Sequence, residues 1–343
     1  MKALVYDGPN DIKLKDLPKP VRKKGEVLIK IKACGICGSD VEGYLGISGR
    51  RTAPMVMGHE FAGKVVEVDE YSEFSKGDKV TVYPKLYCGK CIYCQKELTN
   101  ICPEADFLGV LDKDGAMQEY LSIPKKYVIK INKDISYTEI SMVEPLAVAY
   151  RSTSKISRSD LENANFVLLI GAGTIGLLIL QLLKLKGVKN VIVSDLSDKR
   201  LKKAKLLGAS AVINPKNSNF DEDIEKITNG KMADYSFEAV GVSASAAQSL
   251  SALKIGGTAV WVGNAQKIIE VNMQNIVTTE LNIIGNYIFN KKDFTDSLEL
   301  IEAGKINLEA LISIKEDLIN GEKMFEKLVN NSDGDILKII LTN

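Results

Sequence analysis

The first hundred residues carry short apolar runs separated by turn residues. Residues 3–6, 26–31, 61–68 and 78–82 each have the length and the β-branched content of a strand. Gly8-Pro9-Asn10, Lys24-Gly25 and Lys76-Gly77-Asp78 mark turns between them, so a β-rich body is expected here. From Asn165 the texture changes to apolar strand, glycine turn, long amphipathic helix and strand again, repeatedly. Strands are expected at residues 167–170, 191–194, 211–213, 235–237, 258–262 and 281–284, with helices at 174–186 and 198–207. Alternation of this kind predicts an α/β domain, a parallel sheet covered on both faces. After Gly285 there remain two amphipathic helices, near 294–302 and 322–329, and a strand at 336–341. These are too few for a third body and are expected to pack onto one of the first two.

The length of 343 residues fits two domains. Lys and Arg number 45 against 44 Asp and Glu, with no block of like charge, which argues against nucleic acid or an anionic membrane surface as partner. The N-terminus lacks the apolar core of a signal peptide, so a cytoplasmic protein is expected. The apolar stretch 166–183 contains three glycines, Thr174 and Gln181, and reads as buried rather than membrane-spanning. Six cysteines in such a chain favour metal or thiol chemistry over disulfides.

Residues 166–170 run directly into Gly171-Ala172-Gly173-Thr174-Ile175-Gly176 and then into a helix. In that context the first glycine permits the tight turn, the second lets the backbone approach a pyrophosphate, and the third allows close helix–strand packing. The helix N-terminus offers free N–H groups to phosphates. Asp195 ends the next strand, 19 residues beyond Gly176, where a carboxylate accepts hydrogen bonds from ribose hydroxyls and repels a 2′-phosphate. This favours NAD over NADP, even with Arg200 just beyond the acid. The alternative is that the glycines serve packing alone and Asp195 caps the helix starting near Asp198.

Cys88, Cys91, Cys94 and Cys102 form C-x2-C-x2-C-x7-C, close enough in sequence to wrap one tetrahedral zinc that has no room for substrate. A second constellation is scattered. Cys37 lies in Gly35-Ile36-Cys37-Gly38-Ser39-Asp40, and His59, the only histidine, lies in Gly58-His59-Glu60. Catalytic zinc takes about three protein ligands with long separations, but a lone Cys and a lone His are also common core fillers, and residue types alone leave both readings open. Cys34 makes a C-x2-C with Cys37, with no second pair nearby to complete a zinc knuckle.

Taken together, these motifs resemble the zinc-dependent medium-chain alcohol/polyol dehydrogenases, in the branch holding sorbitol, galactitol-phosphate, butanediol and threonine dehydrogenases. The resemblance spans the whole chain and also takes in Glu144-Pro145-Leu146-Ala147 and Lys338 in the closing strand. It implies a GroES-like catalytic domain from residues 1–146 and 287–343, a Rossmann domain at 147–286, and a dimer or tetramer. It also implies one structural and one catalytic zinc per chain, the latter held by Cys37, His59 and a glutamate that falls on Glu60 or Glu144. Ser39 is then the hydroxyl that takes the alcohol proton, and Asp40 the carboxylate that orients His59. Val262 and Gly263 join Gly171, Gly173, Thr174, Ile175, Gly176, Asp195 and Arg200 as cofactor contacts, and Lys338 is a contact for phosphate or for Glu60.

The implied reaction is NAD-linked oxidation of a small secondary alcohol or polyol to the ketone, with butanediol- or threonine-type oxidation as the alternative and a non-catalytic dinucleotide-binding module as the rival. A departure falls at Gly285-Asn286-Tyr287-Ile288-Phe289, where sorbitol dehydrogenases carry an arginine. Arg50 and Arg51, on an early loop, are expected to be solvated.

Overall fold

The computed structural model describes residues 1–331 and 333–343. The chain forms two compact units, Met1–Glu144 with Asn290–Ser332 and Ile336–Asn343, and Pro145–Phe289 with Asp333–Asp335.

In the first unit, β1 (Lys2–Gly8) pairs antiparallel with β2 (Asp11–Asp16) and β4 (Met55–Val56). The larger sheet is built on β3 (Glu26–Ile36), which pairs with β5 (Glu60–Glu67), β9 (Tyr120–Pro124) and β18 (Lys338–Thr342). Outward from these lie β6 (Lys79–Val82), β10 (Val128–Lys130) and β17 (Ile312–Asp317), in the order β10-β6-β5-β3-β18-β17. A short ribbon, β7 (Lys85–Leu86) with β8 (Asp106–Phe107), stands apart. Strand β3 continues beyond the expected residues 26–31 through Ala33-Cys34-Gly35. Those residues have weak β preference, and pairing on both sides, with β5 and β18, holds them extended. The alternating segment Asp11–Asp16 also forms a strand that was not expected.

The second unit is a six-stranded parallel sheet, β11 (Val167–Ile170), β12 (Val191–Ser194), β13 (Ala211–Ile213), β14 (Ala233–Glu238), β15 (Leu253–Trp261) and β16 (Asn282–Gly285). Its order is β13-β12-β11-β14-β15-β16, the doubly wound arrangement. The helix Thr174–Leu185 buries Leu177, Leu178, Ile179, Leu180, Leu182 and Leu183, each contributing roughly 1.5–3 kcal/mol of burial. The apolar stretch 166–183 is thus a strand and a helix of a folded core. Among the described residues no helix is long and apolar enough to cross a membrane.

Candidate metal and dinucleotide sites

Strand pairing assembles the scattered constellation. Gly35 of β3 lies opposite Glu60 of β5, which brings Cys37, just past the end of β3, beside His59, just ahead of β5. One donor atom each from Cys37, His59 and Glu60 lies within 4.8 Å of the others. The Glu60 carboxylate rests over Gly35, where a Cβ would stand 2.1 Å from Oε2, so only glycine fits. Lys338, delivered by β18, donates to both Glu60 oxygens at 2.8 and 2.7 Å and to the Ile36 carbonyl at 3.1 Å.

Glu144 falls outside the 4.8 Å group. It sits in the first turn of the helix Val143–Thr153, buried, with its carboxyl pushed well above the usual range by burial. The nearby charges of Glu60 and Cys37 push the same way, against His59 and Lys338. Burial likewise lifts the Cys37 thiol to about 11, with Glu60 adding to the shift and Lys338 and the Ser39 hydroxyl opposing it. Thiol, imidazole and carboxylate together are a zinc donor set. A divalent cation reverses the logic that keeps such acids protonated.

Asp40, wholly buried, accepts the Cys37 N–H through Oδ2 at 3.0 Å. Its Oδ1 accepts from Arg51 Nη2 at 2.8 Å and stands 3.6 Å from His59 Nδ1, which has no hydrogen-bond partner. The expectation that Arg51 is solvated is therefore wrong: its side chain is 1% exposed. Nothing local in a Gly-Ser-rich loop signals that a carboxylate 11 residues upstream will draw the guanidinium inside. Arg50 is exposed, as expected. Cys34 is buried, and its thiol is not part of the metal group.

The four clustered cysteines converge as their spacing predicts. Sulfur separations are 3.9 Å for Cys88–Cys94, 3.8 Å for Cys91–Cys102 and 3.6 Å for Cys88–Cys102. A tetrahedron with Zn–S of about 2.3 Å has edges of about 3.8 Å, so the four sulfurs fit one zinc. The backbone N–H groups of Lys90 and Cys91 draw the Cys88 thiol down to about 7, toward the thiolate a metal requires.

In the second unit the glycine turn has the geometry expected at its first and third glycines. Gly171 holds φ +95, and a Cβ on Gly176 would lie 1.8 Å from the Gly171 carbonyl oxygen. Gly173, the N-cap of the helix Thr174–Leu185, faces open space. Thr174 and Ile175 form the first helical turn. Asp195 accepts from Ala172 N at 2.7 Å and from Ser197 N at 2.8 Å, so its carboxylate braces the glycine turn. The helix at Asp198 is capped by Ser197, not by Asp195. Arg200 turns away, its Nε donating to the Gly334 carbonyl at 3.0 Å while Nη1 stands 4.0 Å from Asp195. Val262 and Gly263 follow β15 at the same carboxyl end of the sheet, their N–H groups donating to the Glu238 carbonyl at 2.8 and 3.1 Å.

Two residues at this rim escaped the sequence reading. Glu238, buried, accepts from Val240 N and Gly241 N at 2.8 and 2.7 Å and shapes the loop after β14. An acid closing an apolar strand just ahead of a glycine was the available signal. Asn286, after β16, has both side-chain amide atoms buried without a partner, and no local pattern marks it.

Residues 23–133 match the model of the alcohol dehydrogenase GroES-like domain, and residues 174–303 match the zinc-binding dehydrogenase model. The chain belongs to the zinc-dependent medium-chain alcohol and polyol dehydrogenase family. It is 31% identical to sorbitol dehydrogenase from Bacillus subtilis, covering 99% of this chain and 97% of that protein. It is 30% identical to D-arabitol-phosphate dehydrogenase from Enterococcus avium, covering 95% and 92%. Among solved structures, a protein from Escherichia coli CFT073 described as a short chain alcohol dehydrogenase complexed with NADH superposes with a TM-score of 0.91. The two are 31% identical over 100% of this chain and 99% of that one.

Proposed function

We propose that the protein is an NAD-dependent zinc dehydrogenase that oxidises a secondary alcohol of a polyol or sugar alcohol, phosphorylated or not, to the ketone. The observation that carries this reading is the convergence of the half-buried Cys37 with the buried neighbours His59 and Glu60, brought together from two separate parts of the sequence, with Ser39 and Asp40 following Cys37 in the chain. Cys37 and His59, with Glu60 or Glu144, hold one zinc, and Cys88, Cys91, Cys94 and Cys102 hold the other. When bound at the first site, zinc supplies Lewis acidity that makes an alcohol hydroxyl acidic near neutral pH.

The protein's own groups do the rest. Ser39 Oγ accepts the hydroxyl proton as it passes its own to ribose and solvent, because the chain's single histidine is occupied as a ligand and no imidazole is left to relay it. Asp40 stands behind His59 with Oδ1 3.6 Å from Nδ1, which is too long for the hydrogen bond that would fix the imidazole tautomer. The open face at Gly173 and the N–H groups of the helix behind it receive the pyrophosphate, and Asp195 receives the ribose hydroxyls, which selects NAD over NADP. The segment 285–289, without an arginine, points away from sorbitol itself as the preferred polyol.

The six free thiols suit a reducing cytoplasm. Exposed Met273 (69%), Val277 (66%) and Ile283 (38%), on or beside the edge strand β16, suit a homo-oligomer.

The test is NAD reduction across a panel of sorbitol, other polyols, sugar-alcohol phosphates, butanediol and threonine, alongside zinc analysis of wild type and His59→Ala. Two zincs per wild-type chain are expected, and His59→Ala should still bind NADH without turning over. Alcohol oxidation retained in His59→Ala rejects the site. One zinc and no turnover in wild type favours a non-catalytic dinucleotide-binding module.

A further inference from the structure

We propose that Arg51 is a positioning residue for the Cys37–His59–Glu60 centre, bracing from behind the Asp40 carboxylate that holds Cys37 and the Ser39 side chain beside it. The proposal rests on the reading of that group as a metal site. Arg51 Nη2 donates to Asp40 Oδ1 at 2.8 Å and to Ser39 Oγ at 3.4 Å. Asp40 holds the neighbouring ligand. Asp40 Oδ2 takes the Cys37 backbone N–H at 3.0 Å, and Ser39 lies two residues beyond Cys37 in the same helical turn. Through the same Asp40 Oδ1, 3.6 Å from His59 Nδ1, the guanidinium also stands behind the second ligand. One cation is therefore linked to two of the three donors.

The seat for this guanidinium is built into the helix that carries its partners. Cys37 is the N-cap of the helix Gly38–Tyr44, Ser39 and Asp40 lie in its first turn, and Gly43 leaves the space that Arg51 fills. A Cβ on Gly43 would stand 2.9 Å from Arg51 Nε and 3.0 Å from Cδ. Stability is a poor explanation for the arrangement. The ion pair is buried, with side-chain exposures of 1% and 0%, and both Nε and Nη1 of Arg51 are buried without partners. Such pairs are often no better than apolar packing, and unmet donors count against folding. What the guanidinium supplies is direction: it pins one carboxylate oxygen so that the other stays on Cys37. Groups behind metal ligands change metal affinity by about 10–100-fold when removed.

The experiment compares wild type, Arg51→Met, Arg51→Lys and Gly43→Ala. Zinc release to a chromogenic chelator and the visible spectrum of the cobalt-loaded enzyme are recorded for each. The four-thiol site serves as an internal control for folding. In Arg51→Met, release from the Cys37 centre should quicken by about 10–100-fold, with a shifted cobalt spectrum and an unchanged four-thiol phase. Arg51→Lys, which keeps the charge but not the fork, should fall between. Gly43→Ala displaces the guanidinium without removing it and should move both readouts the same way; it decides the matter if Arg51→Met does not fold. Wild-type release rates and spectra in Arg51→Met and Gly43→Ala overturn the proposal alone. A wild-type chain that loads only the four-thiol site overturns the metal-site reading on which it rests.

Discussion

Two alanine substitutions in the glycine turn separate what the turn does for folding from what it does for binding. At Gly173 the backbone is extended (φ −74, ψ −171), a region open to any residue, and a built Cβ meets nothing within 4 Å. Losing a glycine from the unfolded chain stabilises by about 0.4–1 kcal/mol, while alanine is a poorer N-cap than glycine by a similar amount. The two effects offset, so Gly173→Ala should unfold within about 0.5 kcal/mol of wild type. At Gly176 the Cβ would lie 1.8 Å from a backbone oxygen that has no side-chain freedom to yield. The turn must open, at about 1–3 kcal/mol, the usual range for overpacking.

Binding should invert that ranking for Gly173. Its methyl would occupy the space through which phosphate oxygens approach the helix N-terminus. Losing one charge-assisted hydrogen bond, about 1.5–3 kcal/mol, weakens binding by about 10- to 150-fold. Urea denaturation gives the first quantity. For the second, NADH titration can follow the chain's single tryptophan, Trp261, at the end of β15 beside Val262. A Gly173→Ala protein that binds NADH within threefold of wild type, or that is as unstable as Gly176→Ala, refutes the assignment of the turn to a dinucleotide.

Three further outcomes are expected. Lys338→Met strands a buried Glu60 carboxylate and should cost about 3–5 kcal/mol in urea denaturation of protein stripped of metal at the Cys37 centre. Adding Glu60→Gln should restore most of it, and equal losses in single and double variants would show that the pair is not coupled. Ser39→Ala should lower kcat by about 10²- to 10⁴-fold with NADH affinity unchanged, whereas Ser39→Thr retains a hydroxyl and much of the rate; an alanine variant as fast as the threonine one removes Ser39 from the proton path. Burial, with Arg158 nearby, lowers Lys186 to about 8 from an unfolded value of 10.5. The unfolded chain therefore binds more protons between those limits, and this group's contribution to stability rises with pH across about 8 to 10.5. Lys186→Met should be relatively most stabilising at pH 7, and a thermal-midpoint difference from wild type that does not shrink by pH 10 contradicts the shift.

How legible each feature was follows from how local its cause is. The glycine turn occupies six consecutive residues that dictate both the tight bend and the helix start, and the four clustered cysteines span a loop that closes on itself. Both could be read without tertiary information. The Cys37–His59–Glu60 group could not, because its geometry depends on β3 lying beside β5, a pairing that residue types do not reveal. Its lysine is more remote still, the Lys338–Ile36 hydrogen bond joining residues 302 apart. The resemblance supplied the ligand positions, and strand register supplied the reason they meet. Arg51 shows the converse failure: its sequence surroundings describe a solvated loop, and only the fold reveals Asp40 as its partner. The Asp11–Asp16 strand was legible from its alternating pattern and simply went unread.

Charge bears on the choice between Glu60 and Glu144, which sequence left open. Two of the buried acids near the metal group have cations of their own: Glu60 is held by Lys338 through both oxygens, and Asp40 by Arg51. Cys37 and Glu144 have no such exclusive partner among the described interactions, and burial is the main force pushing both toward the protonated form. Ionising those two places two negative charges in a low-dielectric pocket, a cost that one divalent cation with a neutral imidazole ligand cancels. Proximity favours Glu60, whose carboxylate lies within the 4.8 Å group. Neutrality favours Glu144, because recruiting Glu60 would leave Lys338 unpaired in the same pocket and Glu144 still without a counter-charge. The charge argument is the stronger of the two, since carboxylate rotamers move readily whereas an unpaired buried ion costs several kcal/mol. It favours Glu144 as the third ligand, while Glu60 in this structure stays paired with Lys338.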